Sequence, residues 1–486
     1  MATYCFIIIL TAPLVALAGV LLLRRPRIAE YLNLLASIAV FAAAVPLPFL
    51  VQTPLFFWHD YLFMDAFGCW VALCTAVVYL LASIYAVGYM RLLNEDKKLP
   101  GFYALFAGFA WSMLFAAFVN NAGVFWIAIE LTTLVSTFLV GFEREAESME
   151  AAWKYIIVVS AGISIALLGT VLFYWCGSLV LGPSYAMTWQ TLAQAAPHLN
   201  PMLLKLAFLL VLAGYGTKVG LAPMHTWLPD AHSEGPAPVS AMLSGALLNT
   251  AMLGIGRYLA ITNAAGIGWL PRTALVVLGI LSVFVGTFFI VRQEGVKRLM
   301  AYSSVEHMGI LALGFGFGGV LGIAGALYHM LNHSLNKSLM FFGAGNVMRR
   351  YGTKEMPAIR RVLREFPVSG LLWLAGAVAI TGAPPFGLFL SEFTILRAGF
   401  SGPNLWAAVV MLVLLIIIFI GFLNHFRGMY FDKRPETVPQ GATISAWGVV
   451  PMWLAVIPLL ILGLWWPHGL TQIFGGIARM LTGAVS

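Results

Sequence analysis

The sequence predicts an all-α polytopic membrane protein of about fourteen transmembrane helices, and three observations carry that prediction. Of its 486 residues, 61% are apolar and only 9% charged, whereas a soluble chain is about one-quarter charged. A helix needs ~20 mainly apolar residues to cross the hydrocarbon core, and on that ruler the chain divides into fourteen apolar segments. The intervening loops alternate between basic and base-poor. A mean hydropathy of +0.92 leaves too little polar surface to coat water-facing domains, so the whole chain reads as membrane domain. The net charge of +8 does not indicate nucleic acid, because the basic residues sit in short loops rather than in one patch.

In chain order the segments are 4–23, 30–51, 62–88, 102–120, 123–142, 153–176, 202–222, 237–262, 270–291, 299–316, 319–347, 368–397, 403–426 and 446–465. The first lacks a basic n-region and is followed by Arg24-Arg25-Pro26-Arg27, so it reads as a retained anchor rather than a cleaved signal. The largest interval, Gly177 to Asn200, is too short for a soluble domain. Of the 27 basic residues, 20 fall in alternate loops: Arg24, Arg25 and Arg27; Arg91, Lys97 and Lys98; Arg144 and Lys154; Arg292, Lys297 and Arg298; Arg349, Arg350, Lys354, Arg360, Arg361 and Arg364; and Arg427, Lys433 and Arg434. The other side holds Lys205, Arg257, Arg272, Arg397 and Arg479, while Lys218 and Lys337 lie inside spans. Cytoplasmic loops retain Lys and Arg. With an even number of crossings, both termini therefore face the periplasm or its equivalent. One missed span would invert every later loop, so the consistent alternation supports the count.

Most spans carry no charge, which makes the exceptions informative. Glu130 in the fifth, Lys218 in the seventh, Glu306 in the tenth, Lys337 in the eleventh and Glu392 in the twelfth together oppose insertion by on the order of 12–18 kcal/mol. Static ion pairing is the bland explanation, but single polar side chains hold helices together at lower cost. Proton or ion relay is the preferred reading. In His329-Met-Leu-Asn-His333-Ser-Leu-Asn-Lys337 three basic groups recur every four residues, stacking them on one helical face. Imidazoles, which exchange protons near neutral pH, can hand them along such a face. Glu306 and His307 supply a second acid and imidazole; as adjacent helical residues about 100° apart, they are expected to serve different neighbours rather than touch.

Two spans look broken. The seventh runs Gly214-Tyr-Gly-Thr-Lys218-Val-Gly220-Leu-Ala-Pro223 and continues into Met-His225-Thr-Trp-Leu-Pro-Asp230-Ala-His232, and the twelfth contains Thr381-Gly-Ala-Pro384-Pro385-Phe-Gly387 shortly before Glu392. Unpaired backbone at membrane depth survives only inside protein or beside water, and discontinuous helices beside buried charges mark ion sites in transporters. Glu130 precedes Lys218 by 88 residues and Glu306 precedes Glu392 by 86, each from an unbroken span to a broken one. This predicts two inverted five-helix repeats, spans 4–8 and 9–13. The chain then divides into spans one to three (1–100), a first repeat (101–265), a second repeat (266–430) and the last span (431–486).

The four cysteines, Cys5, Cys69, Cys74 and Cys176, form no Cys-x-x-Cys pair and fall in apolar runs, which fits neither a zinc site nor an iron–sulfur cluster. No metal ligand set, cofactor motif or catalytic redox centre is expected in this chain.

Five stretches closely resemble the antiporter-like, proton-translocating subunits shared by respiratory complex I, Mrp-type sodium/proton antiporters and membrane-bound nickel–iron hydrogenases. They are Trp126-Ile-Ala-Ile-Glu130-Leu-Thr-Thr-Leu; Lys218 through Pro223-Met-His225-Thr-Trp-Leu-Pro-Asp230-Ala-His232; Lys297-Arg298-Leu-Met-Ala-Tyr302-Ser303-Ser304; the His329, His333, Lys337 helix; and Pro385-Phe-Gly-Leu-Phe-Leu-Ser-Glu392. The resemblance covers roughly residues 60–430. It implies that Glu130 and Lys218 form an acid/lysine pair and that Lys337 and Glu392 continue a central hydrophilic axis. One departure is Asn249, at a place where many complex I relatives carry lysine or histidine; a neutral amide orients water without holding the proton, so the link between half-channels falls to water or to His225 and His232. Ser303-Ser-Val-Glu306-His307, and a chain ending soon after the fourteenth span with no long lateral helix, look most like hydrogenase-4 component F and its formate hydrogenlyase relatives.

The resemblance implies a proton-translocating subunit of a group 4 nickel–iron hydrogenase or formate hydrogenlyase-like complex in a prokaryotic cell membrane. Its partners would be other antiporter-like and anchor membrane subunits and a hydrogenase-type peripheral arm that carries the nickel–iron and iron–sulfur centres. The transported ion is H⁺, with Na⁺ as the variant. The competing readings are a complex I NADH-quinone oxidoreductase subunit, a stand-alone sodium/proton antiporter and a non-pumping membrane scaffold.

Overall fold

The computed structural model describes residues 1–93, 95–432 and 441–483, and within them the chain is almost wholly helical. Spans one to six are α1 (Ala2–Leu23), α2 (Pro26–Ala44) with the short α3 (Leu47–Leu50), α4 (Ala66–Arg91), α5 (Leu99–Phe118), α6 (Ala122–Val140) and α7 (Ala146–Leu181). A short helix, α8 (Trp189–Ala195), lies in the next interval, and span seven is two helices, α9 (Pro201–Val219) and α10 (Trp227–Glu234). Span eight is α11 (Ala237–Met242) and α12 (Leu248–Ala264), joined by a π-helical turn at Leu243–Leu247. Spans nine to eleven are α13 (Trp269–Val291), α14 (Val296–Phe317) and α15 (Gly319–Tyr351). After the one-turn α16 (Val362–Glu365), span twelve is again divided, into α17 (Pro367–Ile380) and α18 (Gly387–Phe400). Then come α19 (Leu405–Phe431), α20 (Val450–Leu464) and α21 (His468–Thr482).

Eleven of these segments are long and apolar enough to cross a membrane by length and composition. The three expected spans outside that set are α14, α15 and the α17–α18 pair, which carry Glu306 and His307, the His329–His333–Lys337 face, and the break before Glu392. The charges that make them poor as isolated spans are sheltered by position. α15 packs against α4, α11, α14, α17, α18, α20 and α21, and its polar residues from His329 to Ser338 are buried. Trp153 and Trp175 on α7, Phe288 on α13 and Ile420 on α19 instead point outward, a distribution suited to lipid around a polar interior.

Two parts of the chain differ from the sequence expectation. Helix does not start at Leu62: Leu62–Met64 is a strand, β2, paired antiparallel with β1 (Leu55–Phe57), Phe56 opposite Phe63. The chain reverses through Trp58, His59 and Asp60, all at positive φ, and α4 begins only where Asp65 caps it by accepting from Gly68 N–H at 2.9 Å. The second difference is α21, beyond the last expected span. It buries Leu470, Phe474, Ile477, Ala478 and Leu481, a stripe at helical spacing, against α12 and α15.

Asp65 has a second role. Its carboxylate takes both ends of the Arg257 guanidinium at 3.0 and 2.9 Å, with the two side chains 3% and 4% exposed, and Arg257 lies 4.6 Å from the Phe63 ring centre. Removing one partner of a buried pair strands the other charge, so Asp65→Ala is expected to destabilise the chain by about 3–5 kcal/mol. A thermal melt in mild detergent measures this, and the Asp65→Ala/Arg257→Met double variant is expected to lose less.

Loops assigned to one side by their bases do meet. Arg349 pairs with Glu143 at 3.0 Å, Arg91 with Glu30 at 2.6 Å, Lys354 with Glu234 at 2.6 Å, and Gly295 bridges to Glu355. Asp65, Arg257, the Asn121–Thr188 bridge and the Lys205–Trp269 contact lie in loops or helix ends of the other side. Of the basic residues that define the alternation, Lys433 and Arg434 lie outside the described residues.

Candidate functional site

The break in span seven follows from its sequence. Gly220 takes a left-handed turn (φ 82°) that ends α9, and Pro223 prevents the helix from resuming at once. The exposed ends find partners: Trp227 Nε1 donates to the Thr217 carbonyl at 2.7 Å, and Ala222 N–H donates to Ser282 Oγ at 2.9 Å. Lys218, in the last turn of α9, is fully buried and donates to Thr133 Oγ1 and to the Tyr155 hydroxyl, both at 2.8 Å. Glu130, one turn before Thr133, is half-buried; Ser160 Oγ donates to its Oε1 at 2.6 Å, and its Oε2 has no partner. The expected acid/lysine pair is thus separated here, each member held by neutral hydroxyls, and Glu130 acts on Lys218 only through space.

α10 carries Asp230 and Glu234 outward and His232 inward. Asp230 pairs with Lys154 at 3.3 Å and with Arg298. Two adjoining cavities of about 250 and 310 Å³ open there, both lined by Ser233, Glu234, Lys297 and Lys354. Lys297 is 4% exposed and donates to the Ser233 carbonyl at 3.0 Å and to that of Gly235, closing the C-terminal end of α10 with a positive charge. Behind it His232 is wholly buried, neither ring nitrogen has a partner, and its ring lies 5.4 Å from that of Phe341. His225, in the break itself, also has an unpartnered nitrogen, Nδ1, but it faces Tyr302 at 6.3 Å rather than the other imidazoles.

Asn249 follows the π-helical turn, a wider turn that recurs at functional sites. Its amide nitrogen donates to Ser334 Oγ on α15 at 3.0 Å and to the Gly245 carbonyl at 3.1 Å, leaving its oxygen free.

In the second half, Lys337 donates to the Met300 carbonyl at 2.9 Å and to Ser303 Oγ, with Glu306 as the opposite charge at a distance. His333, one turn back, is buried with both nitrogens free; its ring stacks 6.2 Å from that of His329 and lies tilted 5.4 Å from that of His307. His307 Nδ1 and His329 Nε2 are 3.0 Å apart. The outer nitrogen of His307 meets the Ile380 carbonyl at 3.1 Å, a group freed by the end of α17, and that of His329 meets Ser391 Oγ at 3.0 Å. Glu392 Oε1 is 4.0 Å from His307 Nδ1 and has no hydrogen-bond partner.

One expectation fails. Glu306 and His307 do approach each other, Oε2 to Nε2 at 3.5 Å. Their Cα–Cβ bonds diverge, but both side chains are long enough to converge, and Glu306 lies against Gly286, where no side chain holds it away. The closer polar approaches of His307 are nevertheless made elsewhere, by Nδ1 to His329 Nε2 and by Nε2 to the Ile380 carbonyl.

The structure therefore joins His307, His329, His333, Glu306 and Glu392 into one cluster, with Lys337 and His232 leading to it. It keeps Glu130 and Lys218 as a separate centre and His225 aside. The sequence reading missed Thr133, Tyr155, Ser160, Ser303 and Ser391, the hydroxyls that hold the ionisable groups, and counted Lys297 as an ordinary loop base. Thr133, Ser303 and Ser391 each lie one residue to one turn from a charged or basic site residue, a signal that was present in the spacing.

Residues 119–418 match the family described as NADH:quinone oxidoreductase/Mrp antiporter, TM. The chain is 34% identical over 430 residues to a hydrogenase-4 component F homolog of Methylacidiphilum infernorum, covering 87% of this chain and 90% of that protein. Its fold is shared with a chain of the Mrp complex from Dietzia sp. DQ12-45-1b (TM-score 0.87, 20% identity, 99% and 97% covered). A chain of the archaeal membrane-bound sulfane sulfur reductase is similar in the same way (TM-score 0.86, 21% identity, 98% and 97% covered).

Proposed function

Because the chain belongs to the NADH:quinone oxidoreductase/Mrp antiporter transmembrane family, we propose that it is a proton-translocating subunit of a group 4 hydrogenase or formate hydrogenlyase-like complex. The observation that carries this reading is the row of buried, under-partnered ionisable groups behind a polar mouth. Lys297 and His232 lead to His333 and Lys337, then to the imidazole pair and Glu392. Groups kept only for packing would have their hydrogen bonds completed; these have lone pairs and protons to spare. Nitrogen donors dominate the row, which favours H⁺ over Na⁺, an ion that prefers oxygen cages.

Glu130 and Lys218 form the switch. With Lys218 withdrawn onto Thr133 and Tyr155, the Glu130 carboxylate lacks a counter-charge, and movement of the ammonium between the hydroxyls and the carboxylate changes the charge that a proton on the path meets. When the ammonium returns, the charged pair is favoured and the proton moves on. Redox chemistry in partner subunits, which hold the nickel–iron and iron–sulfur centres, biases that motion. We place the mouth on the cytoplasmic face of a prokaryotic cell membrane and both termini outside. The repeats 101–265 and 266–430 each contribute one half-channel, flanked by 1–100 and 431–486.

The test is proton uptake by vesicles that carry the assembled complex. Glu130→Gln and Lys218→Ala are each expected to reduce it at least tenfold, about 1.4 kcal/mol or more at the limiting step. Unimpaired uptake in both overturns the proposal and leaves the scaffold role. Sodium/proton exchange by the isolated chain would assign it instead to the stand-alone antiporters.

A further inference from the structure

Two acceptors outside the imidazole pair decide where its lone pairs point. The Ile380 carbonyl can only accept, so His307 carries its proton on Nε2 and its lone pair on Nδ1. Ser391 Oγ donates its one proton to the Leu388 carbonyl at 2.7 Å, so it accepts from His329 Nδ1–H and leaves the His329 lone pair on Nε2. Those two lone pairs face each other across 3.0 Å. Beside them, Glu392 Oε1 has no partner although the residue is only 4% exposed. The three ligand atoms all lie within 4.8 Å of one another.

Two lone-pair nitrogens, a free carboxylate oxygen, and outer N–H groups held by a carbonyl and a hydroxyl are the donor set and supporting shell of a His₂Glu metal site. We propose that His307, His329 and Glu392 bind a divalent first-row transition ion, with Zn²⁺ as the best fit and a water at its fourth position. Tetrahedral donors at about 2.0–2.1 Å from zinc sit about 3.3 Å apart. The nitrogens therefore open by a few tenths of an ångström and the carboxylate closes on His307 Nδ1 by less than one. Ca²⁺ and Mg²⁺ are disfavoured, since they demand oxygen ligands. Glu306 Oε2, 3.5 Å from His307 Nε2, is a further carboxyl oxygen beside the pair. On the proton-path reading above, on which this consequence alone rests, the ion occupies the lone pairs a proton must cross and blocks transport from inside.

The test measures binding apart from transport. The purified complex is incubated with Zn²⁺, desalted, and its zinc compared with that of a His329→Gln complex; Co²⁺ substitution reports geometry through its visible d–d bands. One additional zinc per complex is expected, with tetrahedral cobalt bands, lost in His329→Gln. Ser391→Ala, which keeps all three ligands but frees the His329 ring to turn its N–H inward, is expected to weaken zinc binding about tenfold and serves if His329→Gln does not assemble. Equal zinc in the wild-type and His329→Gln complexes, wild-type affinity in Ser391→Ala, or no retained zinc in the wild type overturns the site. Proton uptake without added metal, followed in parallel, bears only on the transport reading.

Discussion

Lys337→Gln is expected to stop proton uptake by the assembled complex, lowering it at least a hundredfold, while the subunit still inserts and co-purifies with its partners. The ammonium donates to the Met300 carbonyl and to Ser303 Oγ, and a glutamine amide, one bond shorter, still places N–H donors in the same buried space. Local packing is therefore retained. What is lost is the ammonium that, on the proposed path, stands with His333 between His232 and the imidazole pair. A neutral amide orients water but cannot carry a proton onward, and the Glu306 carboxylate is left without its opposite charge. Ser303→Ala separates the parts of this argument: it removes one hydrogen-bond partner but keeps the ammonium, and it is expected to cost less than tenfold. Uptake is followed with a pH-sensitive dye in vesicles, alongside electron transfer in the same preparation. Comparable losses in Lys337→Gln and Ser303→Ala would mean that the lysine acts by position rather than by charge.

How far the sequence could be read depends on the range of the interaction involved. The spans follow from composition over ~20 residues, and α9 ends where Gly220 and Pro223 say it must. His329, His333 and Lys337 stack as their four-residue period requires, because that period is a property of one helix. α21 escaped notice since its apolar stripe is half a helix wide and diluted by Gln472, Gly475, Gly476 and Arg479. The hairpin at 55–64 escaped because its alternation is masked by aromatic residues on both faces. In the site, the identities of the charged groups were legible and their partners were not. Whether Lys218 meets Glu130 or Tyr155 is decided between helices by rotamers, and so is the approach of Glu306 to His307. Lys297 looked like any loop base until α10 closed over it.

Gly382→Ala is expected to have the second large effect, and it acts without replacing any ionisable group. Gly382 sits in the break of span twelve at φ 66°, and a Cβ there would stand 1.9 Å from Glu392 Oε2. A carboxylate oxygen must withdraw to about 3.3 Å from a methyl, so Glu392 has to move by more than an ångström, which changes its present 4.0 Å approach to His307. Displacement on that scale costs on the order of a hundredfold in a transfer that depends on alignment. The backbone adds its own penalty, roughly 1–2 kcal/mol for a side chain in the left-handed region. Gly319→Ala separates the two contributions. Gly319 has nearly the same φ, 63°, and open space where its Cβ would go, so it carries the backbone cost alone. Melting temperatures in detergent are expected to fall similarly in both variants, while proton uptake collapses only in Gly382→Ala. Equal uptake in the two would detach Glu392 from the path, because its carboxylate would then have been moved without consequence.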